Sequence, residues 1–451
     1  MAFVNENSNG GFFKKHWSIL VLIAVFCNFL CLSGVLFNYN LLYIEIMHSF
    51  NSTSTQAGIP GAISFTFFSF TSPIVTVLYQ ILGHRITVVL GVSLCCAGLL
   101  SSSFVQHVAV LCITYGFMFG VGFNACNLTC TDMILRVFDK RNATRATCTA
   151  LCAISVGFLM SPGIEWLYET YSWRVAFRIL SVILACVGYS SALVMVDVTP
   201  KKKKSREKET EQSSRQQTVS IAKYCFLLRR RGYSFGLLAF ILTAITITFT
   251  FISMGNFLLE NGMEISSISF IIFMMGVGDL VGRIVAAIFS DRLPISRIYQ
   301  HALSSLLTAL PTVCLPFIGS HTGQTVVFIV MSLPRSLLIV LMPSIAMELA
   351  TDNTTSESMA VSYLAFGIGA FTTPYLTDLI YEITGSYDIP WFICTGLYVL
   401  AAGFMLLADR ARKQNLMTDA RQYNLVHKDT IEYKDTQIKT NQIDNRTLTA
   451  I

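Results

Sequence analysis

The sequence predicts an all-α membrane protein with twelve transmembrane helices in two six-helix halves and both termini cytoplasmic. Three observations carry that prediction. Of the 451 residues, 53% are hydrophobic and only 13% are charged, against about 25% charged in a soluble domain. The apolar residues gather into twelve runs long enough to cross a bilayer as helices. One long polar segment interrupts them midway, between the sixth run and the seventh.

The runs are Trp17–Tyr43, Ile59–Leu82, Ile86–Phe104, Val108–Leu135, Ala143–Leu167, Arg174–Met195, Tyr233–Leu258, Ser266–Ser290, Arg297–Ile318, Gln324–Leu349, Ser358–Ile383 and Pro390–Leu407. The first follows Lys14 and Lys15 but is too long for a signal-peptide core and lacks a small-residue cleavage site, so it is read as a helix. Residues 1–16 are then a cytoplasmic N-terminus, 17–195 the first half, 196–232 a basic linker, 233–407 the second half and 408–451 a cytoplasmic tail. An even number of spans puts both ends on one side, and charge selects the side. One set of loops holds His84, Arg85, Arg136, Lys140, Arg141, Arg145, the linker, Arg292 and Arg297, and the tail adds Arg410, Arg412 and Lys413. Loops 44–58, 105–107, 259–265, 319–323 and 384–389 have no Lys or Arg. The alternation fits the positive-inside rule. All four tryptophans (Trp17, Trp166, Trp173 and Trp391) fall at expected helix ends, the place of an interfacial aromatic belt.

Composition also excludes functions. The net charge of +6 sits in short loops and gives no nucleic-acid surface. The pairs Cys27/Cys31, Cys126/Cys130 and Cys148/Cys152 share helix faces without His or carboxylate neighbours suited to a metal, and read as packing residues. No nucleotide loop, metal triad or hydrolase elbow suggests an enzyme, and no cofactor is expected.

The chemistry concentrates in the eighth run, where Asp279 and Arg283 stand four apart on one helical face near mid-membrane. Ionised groups at that depth cost a few kcal/mol or more and mark ligand or ion pathways, so the pair is expected to face a cavity and to handle a charged ligand or a proton. Gly276, Gly278 and Gly282 bracket the pair and are read as leaving room there for a ligand. Arg335, after Pro334 in the tenth run, is a second cation at depth. Asp132 and Arg136 repeat the spacing of four at the cytoplasmic end of the fourth run and read as an inner gate. Asn38 and Asn40 in the first run and Asn256 in the seventh could hydrogen-bond a substrate. Glu165, Glu348, Asp378 and Glu382 lie near helix ends, where snorkelling suffices. Asn51-Ser52-Thr53 is a glycosylation sequon on the expected outer side. Thr449-Ala450-Ile451 has the pattern of a C-terminal strand that adds to a PDZ groove.

These pieces resemble the monocarboxylate transporter family of the major facilitator superfamily. VFDKRNATRATCTALC (137–152) is similar to the family signature entering helix 5 at Phe138, Lys140 and Arg141. YSWRVAFRIL (171–180) is similar to the Trp-Arg segment opening its sixth helix, and GDLVGR (278–283) to its Asp-x-x-x-Arg in helix 8. Pro343 and Pro374 fall where the family usually has proline. The resemblance implies alternating-access transport of a monocarboxylate across the plasma membrane, in some members with a single-span ancillary glycoprotein. The chain departs from the family in helix 1: the lysine of proton-coupled members falls by spacing on Phe37, and that helix has no interior lysine.

Read forward, Arg283 can clamp a carboxylate, and Asp279, paired to it at rest, is anionic. A substrate carboxylate would displace Asp279, which could then take a proton, so Asp279 is the proton-coupling candidate. Two other readings stand beside this one: an uncoupled transporter of aromatic or other amino acids, and a non-transporting membrane sensor or adaptor.

Overall fold

The computed structural model describes residues 10–52, 54–139, 142–195, 224–290, 292–350, 354–386 and 388–414. Most of the linker, the tail beyond 414 with Thr449–Ile451, and Lys140 and Arg141 lie outside the described residues.

Among the described residues twelve long helical rods run in order, with a short helical segment over 224–229 before the seventh. The first half holds α1 (Gly10–Leu36, resuming as Tyr39–Phe50), α2 (Ser54–Phe70 and Ser72–Leu82), α3 (His84–Ser102), α4 (Val108–Val137), α5 (Ala143–Leu159 and Ser161–Tyr171) and α6 (Trp173–Val194). The second half holds α7 (Arg231–Glu260), α8 (Ile265–Phe289), α9 (Arg297–Cys314), α10 (His321–Val340 and Met342–Leu349), α11 (Thr355–Thr384) and α12 (Asp388–Gln414). Among the described residues eight rods are long and apolar enough to span a bilayer, and α2 and α5 join them if each bent pair, at 52° and 42°, is one span.

Helix α9 is not among those apolar rods, and its two faces show why. Its inward face is Gln300, His301, Ser304, Ser305, Thr308 and Thr312, and its outward face carries the exposed Leu303, Leu306, Leu307 and Leu310. A helix with polar residues inside and leucines outside is unstable in water and suited to hydrocarbon.

Several expected spans are interrupted. Helix α1 breaks at Phe37–Asn38, α2 at Thr71, α5 at Met160 and α10 at Leu341. Residues Cys112–Phe119 of α4 form a π-helix, where Gly116 lies against Ile63 and Pro60 of α2. Pro73, Pro162 and Pro343 each stand in the first turn of the segment after a break, where the missing N–H costs least.

Trp166 is exposed, but Trp173 and Trp391 are 1% and 0% exposed and do not face outward as a belt requires. Trp391 is ringed edge-on by Phe249, Phe257 and Phe328. Trp173 packs on Phe177, lies under the Arg174 guanidinium and donates to Ser49 Oγ at 2.9 Å. Both side chains point into their half, a direction that position along a helix does not reveal.

Within the first half α1 packs on α5, α3 on α4 and α6, and α2 on α4; within the second, α7 packs on α11 and α8 on α10. Close approach needs glycine at two of these crossings. A Cβ at Gly157 would overlap Ser33 Oγ of α1, and one at Gly282 would overlap Ser336 and the Leu333 carbonyl of α10. The halves meet along two seams, α5 on α8 and α2 on α11.

Candidate functional site

Helices α5 and α8 run antiparallel along their seam, and three residue pairs set the register. Arg283 Nη1 donates to the Leu151 carbonyl at 3.1 Å, and Ser155 Oγ donates to Asp279 Oδ2 at 2.7 Å. Gly276 lies against Phe158. Within α8, Arg283 Nε donates to the same Asp279 Oδ2 at 2.8 Å. The spacing of four thus does what helical geometry requires, and the pair also clasps the opposite half. Asp279 is 6% exposed and Arg283 2%. In this conformation the pair faces α5 rather than the cavity expected from sequence.

Arg335, 3% exposed in α10, lies within electrostatic reach of Asp279, Arg283 and Tyr398. The approach of α8 to α10 at Gly278–Ser332 and Gly282–Ser336 brings it there. The three ionised side chains sum to a formal charge of +1 in a buried region, where charge is costly unless it is met.

A second cluster sits at the end of the bundle that holds most of the described basic residues. Asp132 Oδ2 accepts from Arg136 Nε and from His84 Nε2, the latter at 2.8 Å, and Asp132 Oδ1 accepts from Ser356 Oγ at 2.8 Å. Arg136 Nη2 donates to Ser356 Oγ at 3.0 Å. An ionised carboxylate only accepts, so His84 carries its proton on Nε2. The Tyr79 ring stacks on His84, 5.0 Å between centroids. Ser356 belongs to α11, so this cluster also joins the halves. Gln80 Nε2 to Glu357 Oε1 at 3.2 Å and Arg297 Nε to Thr144 Oγ1 at 3.2 Å join them at the same end. Sequence reading paired Asp132 with Arg136 but missed His84, seen only as a basic loop residue, and Ser356, over two hundred residues away with no local signal.

Asn38 takes a structural place. Its Nδ2 donates to the Gly34 carbonyl at 2.8 Å and the Gly157 carbonyl at 2.9 Å, and its Oδ1 accepts from Ser161 Oγ at 2.6 Å. One amide hydrogen stays within α1, while the other, together with Oδ1, ties the break in α1 to α5 near its own break, so neither hydrogen remains for the substrate bond that sequence suggested. The side chains of Asn40 and Asn256 lie outside the described residues. A cavity of about 440 Å³ lined by Phe50, Gln56, Ile59, His107 and Cys112 lies within the first half, away from the seam.

Twelve rods in two halves, with buried ionised clusters where the halves meet, are the architecture of a membrane transporter that rocks about a midplane site. The model of the Major Facilitator Superfamily matches residues 21–374, and the chain belongs to that superfamily; it is a transporter and not an enzyme. It is similar to Monocarboxylate transporter 12 of Homo sapiens, 22% identical over 450 residues, 94% of this chain and 87% of that protein. It is similar also to Monocarboxylate transporter 10 of Rattus norvegicus, 24% identical over 399 residues, 84% of this chain and 75% of that one. Among solved structures it resembles the E. coli fucose:proton symporter FucP, with a TM-score of 0.66 and 14% identity over 85% of this chain and 98% of that one. A FucP structure in the outward conformation gives 0.68 and 16% over the same shares. These likenesses establish the fold.

Proposed function

We infer that the chain moves a small organic anion of the monocarboxylate class across the plasma membrane by alternating access. The observation that supports this reading most is the positive formal charge of Asp279, Arg283 and Arg335 together, buried where the two halves meet. A single carboxylate entering there would neutralise the set. Its approach to Arg283 competes with Asp279 Oδ2, because the guanidinium fork binds one planar carboxylate well. Asp279 then stands beside a second anion in a dry site and takes up a proton, which links substrate to proton without a lysine in α1. Release of both restores the pair.

The basic end of the bundle is the cytoplasmic one on this reading, by the positive-inside rule, and the Asp132–His84–Arg136–Ser356 cluster is its gate. An ancillary single-span glycoprotein and a PDZ partner at Thr449–Ile451 remain proposals from the sequence alone. The amino-acid reading has one feature in its favour, the apolar Phe37 in a helix without interior lysine.

The deciding measurement is radiolabelled uptake in oocytes against carboxylates and amino acids at two external pH values. Uptake of monocarboxylates, faster at the lower pH, is the expected result. Transport of zwitterions alone, with no pH effect, would replace this reading by the uncoupled amino-acid carrier.

A further inference from the structure

One turn along the seam from the charged pair, three aromatic rings from three helices meet. The Phe37 ring of α1 lies 4.7 Å from the Phe158 ring of α5, tilted 33°, and 5.7 Å from the Phe65 ring of α2, edge-on at 64°. Helices α2 and α5 flank the first half on opposite sides, since α2 packs on α11 and α5 on α8. The Phe37 ring thus bridges a ring of the helix that meets α11 and a ring of the helix that meets α8. The trio is also not closed over: Phe65 is 36% exposed, and Phe37 and Phe158 are half-buried.

The backbone at this level is irregular. Phe37 stands in the break of α1, and α5 breaks at Met160, two residues beyond Phe158. Non-helical backbone at membrane depth is tolerated where it is buried in protein or lines a water-filled space. Asn38 holds the two breaks together through the Gly157 carbonyl, so Phe37 and Phe158 keep their mutual position. Leu151, Ser155 and Phe158 share one face of α5: the first two engage Arg283 and Asp279, the third faces the rings. Three residues of helix separate Ser155 from Phe158, about 4.5 Å of rise.

We propose that Phe37, Phe65 and Phe158 form an aromatic clamp that selects acids carrying a flat aryl ring on an alkyl chain, the arylalkanoic acids. The proposal rests on the carboxylate-transport reading above and specifies its substrate. The carboxylate engages Arg283 while the ring stacks or packs edge-on against Phe37, a contact whose preferred geometry favours an aromatic partner over a puckered aliphatic one. Gly276 of α8 packs beside Phe158 and Leu159, so the second half approaches the trio here without a side chain of its own.

The test uses the full chain in oocytes with labelled propionate and three unlabelled competitors: 3-phenylpropionate, 3-cyclohexylpropionate and propionate itself. For the unaltered protein, 3-phenylpropionate is expected to inhibit at about 5-fold lower concentration than either of the others. Phe37→Ala should collapse that preference, and Phe37→Trp should keep it, with surface biotinylation confirming both at the membrane. Equal inhibition by the phenyl and cyclohexyl acids would overturn the clamp while leaving carboxylate transport standing. A preference for the phenyl acid that survives in Phe37→Ala at the surface would overturn it as well. No saturable propionate or 3-phenylpropionate uptake by the unaltered protein at the surface would overturn the transport reading and the clamp with it.

Discussion

Two Asp-x-x-x-Arg pairs with the same spacing lie in different surroundings. Asp279 and Arg283 are both buried, and their remaining bonds go to a hydroxyl and a backbone carbonyl of α5. Asp132 is buried, but the Arg136 side chain is 47% exposed, and the acid is shared by donors from α3, α4 and α11. Each pair clasps the other half, one at mid-depth and one at the basic end. The difference lies in what can replace the clasp. At mid-depth a visiting carboxylate can take the place of Asp279 on a dry guanidinium. At the basic end the Arg136 side chain is open to solvent, and in the transport cycle proposed above the cluster is a latch that opens when the halves rock.

The largest effect should follow from Arg283→Ala. It strands a buried carboxylate, which costs about 3–5 kcal/mol, and removes the proposed anion site. Uptake of labelled monocarboxylate per molecule at the cell surface should fall by about a hundredfold or more, and Arg283→Lys should recover only a small part because the fork is lost. If Arg283→Lys transports like the unaltered protein, the two pairs do not differ in the way argued here.

Asp279→Asn comes next. It keeps the shape but cannot take up a proton, so uptake measured at several external pH values should lose its dependence on pH. An unchanged pH profile removes Asp279 from the proton path.

At the latch, Asp132→Ala frees three donors at once. Hydrogen bonds to charged groups contribute about 1.5–3 kcal/mol each, so the basic end should open more often by tenfold or more. The check is maleimide labelling of a cysteine placed at Thr144, which faces Arg297 at this end, read with and without Asp132→Ala. Ser356→Ala should have the smallest effect, about fivefold in the same labelling, since one hydroxyl is lost while His84 and Arg136 still hold the acid. A latch variant that abolishes uptake as fully as Arg283→Ala would merge the two clusters into one function.

The two pairs also show where sequence reading succeeds. A spacing of four on a helix fixes both pairings, because neighbours one turn apart are set by local geometry alone. Apolar length likewise gives the twelve rods, and inside-out α9 is legible once its leucines and hydroxyls are placed on a wheel. The partners across the seams were not legible. Ser155, Leu151 and Ser356 are ordinary residues whose roles come from which helices face each other. Asn38 looked like a ligand-binding amide for the same reason: a polar group in an apolar run signals importance without saying whether a substrate or a backbone carbonyl satisfies it. Trp173 and Trp391 looked interfacial because height along a helix is visible in sequence and rotation about it is not.

By itself the sequence determined the class of the molecule, the number and order of its helices and the positions of its costly charges. These follow from burial energetics and from bonds within a single turn, which need no knowledge of neighbours. Only the tertiary structure decided that the charged pair lies on a seam, that Asp132 gathers donors from three helices, and that Phe37 meets two other rings. Such contacts depend on the rotation and register of helices far apart in the chain, which many sequences of the same pattern could set differently.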